Sequence, residues 1–119
     1  MLPEIFRHEY KIFQRSLQSL QGLATLANPD IRAVQAAVLE SQQLFQTCVL
    51  PLDLELVDGA IAPRLQSIQT EIGKQLRLLG MDVTFWQTAR QPITLQQRQQ
   101  QVCERIALLQ QYCAVVLEE

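Results

Sequence analysis

Apolar positions recur along the chain at steps of three and four, the period of a helix that buries one face. In the first segment Phe6, Tyr10, Phe13, Leu17, Leu20, Ala24 and Ala27 form an unbroken heptad seam. Pro3 suits the first turn of such a helix, and Asn28-Pro29 stops it, because the residue before a proline avoids the α region. The same dipeptide is expected to start the second helix: Asn28 caps, Pro29 fits the first turn and Asp30 complements the helix dipole. Its stripe is Ile31, Val34, Val38, Phe45 and Cys48, and Pro51 ends it.

Residues 51–62 carry no such period. Leu52, Leu54 and Leu56 alternate with Asp53 and Glu55, and Asp58 follows. This acidic connection reads either as a short extended stretch or as a loop laid along the other elements, and it is long enough for the next helix to cross over. The third helix is expected at about 63–90, opened by Pro63, roughly 40 Å long at 1.5 Å per residue. Leu65, Ile68, Ile72, Leu76, Leu79, Val83 and Trp86 form its stripe, with Gly73 and Gly80 inside it. Each glycine costs up to about 1 kcal/mol of helix stability against alanine, so each suggests close contact or a bend. Gln91-Pro92-Ile93-Thr94 breaks the chain again, and Thr94 with Gln97 has the spacing of a capping box. Leu95, Val102, Ile106, Leu109, Cys113 and Val116 then run to the end. The fold expected is all-α: one domain over residues 1–119, an antiparallel bundle of about four helices whose long third helix is central.

Composition agrees with a packed bundle. Of 119 residues, 48% are hydrophobic and 18% charged, too apolar for disorder. The net charge of −2 supplies no field to draw nucleic acid. No basic segment followed by an apolar core opens the chain and no apolar run approaches 18 residues, so neither a signal peptide nor a membrane span is expected. Cys48, Cys103 and Cys113 are an odd number without paired spacing, which points to reduced thiols in a cytoplasmic protein.

Candidate chemistry is sparse. His8 is the only histidine, with Glu4 one turn before it as its available partner. The three cysteines and His8 lie too far apart along their helices to read as a metal site, and small core fillers are the simpler reading. No phosphate loop, metalloprotease or nucleophile-elbow motif occurs, so neither catalytic residues nor a cofactor are expected. Arg7, Lys11 and Arg15 share one helix face, either solvated or a dock for an acidic segment. The acidic connection, with its alternating leucines, is a second candidate for docking.

The third helix holds the most informative pattern. Beside its main stripe lies a second, Leu78, Met81 and Phe85, on another part of its circumference. A helix apolar over so much of its girth is either the central one or meets a second copy or another protein. With Lys74 and Arg77 beside them, these three are the candidate partner-binding residues. A self-associating scaffold and a small-molecule-binding bundle with a pocket near Trp86 are the alternatives.

Residues 69–92 of the same helix carry a resemblance. Lys-Gln-Leu-Arg-Leu-Leu-Gly-Met-Asp-Val at 74–83, Ala-Arg-Gln-Pro at 89–92 and Gln97-Arg98 after it resemble the signature stretch of the heterocyst frequency control protein PatD family of cyanobacteria. Before about residue 60 the likeness is only general. The resemblance implies a non-enzymatic regulatory protein, a partner of the tubulin-like division protein FtsZ, that influences cell division and the frequency of heterocysts. It implies no cofactor and assigns no residue a role.

Overall fold

In the computed structural model, which describes residues 2–119, four helices stand up-down-up-down: α1 (Glu4–Ala24), α2 (Ile31–Leu44), α3 (Ala62–Thr88) and α4 (Pro92–Leu117). Each packs on its neighbours in chain order, and α4 returns to α1 to close the square. The longest, α3, lies between α2 and α4. The 51–61 connection therefore joins adjacent helices and does not carry α3 across the bundle. The molecule measures 50 × 20 × 19 Å.

The heptad seams face inward as their spacing demands. Phe6, Tyr10, Phe13, Leu17 and Leu20 of α1 meet Val34 and Val38 of α2, Leu65, Ile72, Leu79 and Trp86 of α3, and Val102, Ile106, Leu109 and Cys113 of α4 in one core. The large side chains of this core each remove an area worth about 1.5–3 kcal/mol from water.

Helix ends differ from the sequence expectation in four places. Ala27 is exposed, because α1 stops at Ala24. Gln99 of α4 donates to Ala24 O and Leu26 O at 2.9 and 3.0 Å, satisfying carbonyls that the end of α1 leaves open. The cap of α2 is Asp30, not Asn28: its carboxylate accepts from Arg32 N and Ala33 N, which leaves Asn28-Pro29 in the turn. Thr94 lies inside α4, whose N-cap is Gln91 with no side-chain bond, so the Thr94/Gln97 capping box does not form. Proline at 92 begins the helix three residues earlier than that box required. Finally, α3 starts at Ala62 with Pro63 in its first turn and ends at Thr88.

Past Leu44 the second helix widens. Over Phe45–Val49 the backbone takes a π turn, in which Leu50 N–H donates to Phe45 O, five residues back, at 2.9 Å. The leucine-acid alternation that follows is not extended: Leu54–Leu56 make one 3₁₀ turn, capped by Asp53 through Glu55 N. Val57 is buried, Leu52 and Leu54 are half-buried, and Leu56 is exposed.

Candidate functional site

The outer face of α3 is set by arithmetic on 100° per residue. Leu65, Ile72, Leu79, Val83 and Trp86 consume the inward arc. Lys74, Leu78, Met81 and Phe85, at steps of four, three and four, then stand together on the side away from the core. Met81 is 54% and Phe85 45% exposed, Leu78 is half-buried, and Lys74 and Arg77 are exposed. The five candidate residues therefore share one flank of one helix, but they do not form a single tight patch. Arg77 and Phe85 are eight residues apart, about 80° around the axis. Arg77 stands at the lip of the groove between α2 and α3. Phe85 lines the smaller groove between α3 and α4. Met81 and Lys74 make the ridge between, and Leu78 sits just beyond Phe85 on the α4 side.

The charge on this ridge is one-sided. Arg98 of α4 lies over the Phe85 ring, 4.9 Å from its centroid, a cation–π contact that adds a third cation to Lys74 and Arg77. Lys74 has a loose contact with Glu71 at 3.8 Å, and among the described residues Arg77 pairs with no carboxylate. A protein of net charge −2 thus presents a locally basic, apolar strip.

The groove between α2 and α3 has a volume of about 640 Å³. Its apolar surface comes from Leu50, exposed at the end of the π turn, and half-buried Leu54 of the connection, with Phe45 and Leu76 reaching it only by buried edges. Gln42 and Gln46 stand on one wall, Gln66 and Thr70 on the other. Gly73 lies on its floor, where an added Cβ would meet the Phe45 ring at 3.5 Å. Trp86, by contrast, is buried at 2% exposure in the core, and the surface grooves are lined by other residues.

Beneath the ridge, α3 and α4 share a polar cluster that the apolar pattern gave no reason to expect. Arg105 of α4 donates through Nε to Asp82 and through Nη1 to Gln75, and Gln75 in turn donates to Glu71 at 3.0 Å. Asp82 and Gln75 are buried, and seven residues separate them. That spacing, one heptad beside the main stripe, is the sequence signal available for a shared inward-facing position.

The other ionisable groups are placed as follows. His8 is exposed, and among the described residues no ion pair joins it to Glu4. Arg7 donates to Leu117 O at 3.0 Å, closing the C-terminal end of α4; Lys11 and Arg15 are exposed. Burial pushes the Cys113 thiol and the Tyr10 hydroxyl each up to about 12. Gln69 stands beside Tyr10 and offsets part of that shift. Even so, neither Tyr10 Oη nor Gln69 Nε2 reaches hydrogen-bond geometry with any partner among the described residues. Cys103 is raised by burial and by the charge of Glu104, and its thiol donates to Ala24 O. Among the described residues no three histidine, cysteine or acidic side chains come together to hold a metal ion. Nor is any helix long and apolar enough to cross a membrane.

No family model matches the chain, and no curated protein or solved structure matches it.

Proposed function

We propose that this chain is a non-enzymatic protein-interaction module of the PatD kind, one that binds FtsZ and influences cell division and heterocyst frequency. The observation that carries the reading is the ridge of α3. Met81 and Phe85 stay about half exposed on a helix whose other apolar stripe is fully used by the core. Methionine and aromatic side chains are enriched where proteins meet, and cations around them select an acidic partner. The resemblance over residues 69–92 covers this same ridge and supplies the name of the partner.

The ridge is tested by surface variants. Met81→Glu and Phe85→Glu place a charge on solvent-exposed positions, so the fold is expected to keep its stability to within about 0.5 kcal/mol. Affinity for FtsZ is expected to fall at least tenfold in either variant, and to fall again on reversal of Arg77 to Glu. Calorimetric titration of each variant checks this, and affinities equal to the unmodified chain's would remove the ridge from the interface. A second copy is the competing occupant of the ridge. Light scattering at twice 13.6 kDa, lost in Met81→Glu, would favour it.

A further inference from the structure

We infer that the groove between α2 and α3 is a second contact site, one that takes an extended apolar segment of a partner protein carrying a carboxylate. This rests on the chain being an interaction module and not on which protein it meets.

Three observations converge on the groove. The first is its chemistry. Its accessible apolar surface comes from exposed Leu50 and half-buried Leu54, above the buried edges of Phe45 and Leu76, while the turn that ends α2 contributes the amide of Gln46 and α3 the amide of Gln66 and the hydroxyl of Thr70. A primary amide both donates and accepts, which suits the alternating N–H and C=O groups of an extended backbone. Apolar side chains of such a segment would point inward between the walls. Arg77 is the one ionisable residue lining the groove, and among the described residues no carboxylate pairs with it. A guanidinium at the lip of an apolar cleft selects a carboxylate and binds it in a bidentate fork.

The second observation is Gly73. A glycine inside a helix gives up about 0.5–1 kcal/mol against alanine. Packing does not require it here: its φ is not positive, and a Cβ would sit at 3.5 Å from the Phe45 ring, an ordinary contact. What a side chain would do at this position is raise the groove floor. The third is the π turn at Phe45–Val49, which sets Phe45 and Gln46 on the wall. Such turns strain a helix and cluster at functional sites.

Selection from a phage-displayed library of random dodecapeptides on the purified chain tests the site without FtsZ. Enriched peptides are expected to alternate apolar residues and to share at least one Asp or Glu. A synthetic peptide of the enriched sequence is expected to lose at least tenfold in affinity for Gly73→Leu and for Arg77→Glu, and to bind Met81→Glu unchanged. Replacing its acid by the amide should weaken binding to the unmodified chain and strengthen binding to Arg77→Glu, where it removes a like-charge contact. Should Gly73→Leu not fold, as judged by circular dichroism and a cooperative melt, Thr70→Trp covers the groove from an exposed position. The inference is overturned if no peptide is enriched, if the enriched peptides lack acids, or if they bind the groove variants as well as the parent chain. Loss of FtsZ binding on the ridge without loss of peptide binding, or the reverse, separates the two sites.

Discussion

Asp82 and Arg105 form the least exposed ion pair among the described residues, and it ties α3 to α4. A carboxylate taken out of water needs a paired cation, and Arg105 supplies it from the facing helix while Gln75 occupies the guanidinium's other edge. Arg105→Met is therefore expected to cost about 3 kcal/mol in urea unfolding, because it leaves Asp82 buried without its partner. The double variant with Asp82→Leu should recover most of that loss. If the single variant costs less than about 1 kcal/mol, the pair is solvated and does not tie α3 to α4. Tyr10 and Cys113 make an opposite kind of case, groups kept neutral by burial. In the unfolded chain they ionise near their ordinary values of 10.0 and 9.0, while in the folded protein both wait until about 12. The unfolded state thus gives up protons that the folded state keeps. The contribution of these two groups is level up to about pH 9, and stability is expected to fall from there towards pH 12. Tyr10→Phe should flatten the upper part of that decline. It should also leave stability at pH 7 unchanged or slightly higher, since the hydroxyl it removes has no hydrogen-bond partner. Denaturant midpoints across the pH series measure both effects. Tyr10 and Cys113 stand in the apolar seams and were legible there, whereas the placement of Asp82, Gln75 and Arg105 was not visible in the pattern of apolar residues. Gln75 and Asp82 interrupt it at positions where only the approach of α4 makes a polar side chain an inward one.

The helices themselves were legible because burial enforces their period. A seven-residue repeat has one way to hide its apolar face, and the seams of α1 and α3 are buried where the spacing puts them. Ends were less legible, since they depend on what lies across the interface. The end of α1 is held by Gln99, 75 residues from Ala24, and no local signal announces that. The π turn after Leu44 is likewise a tertiary outcome: it sets Phe45 against Gly73 and opens the groove beside them. Gly73→Ala tests whether that glycine serves packing. The helix gains about 0.5–1 kcal/mol, and the new methyl makes an ordinary contact with Phe45. The melting temperature is expected to rise by about 2–4 °C. A fall would mean that Phe45 needs the closer approach, and the groove argument would lose one of its supports.

At the scale of the whole molecule, the square bundle sorts each flank of α3 to a purpose. The inward arc builds the core, the α4 side carries the Asp82–Arg105 pair, the α2 side opens the groove, and the outward arc leaves Met81 and Phe85 in solvent. The ridge residues could be named from the sequence because they are local to one helix. The groove could not, because its walls come from α2, the connection and α3 together. The ridge as a contact surface for FtsZ is the central claim, and one titration meets it head on: purified chain against purified FtsZ from the same organism, with and without GTP. Saturable binding at micromolar affinity or tighter, in at least one nucleotide state, is the result predicted. No binding in either state would contradict it and leave the basic, apolar strip of α3 to another partner.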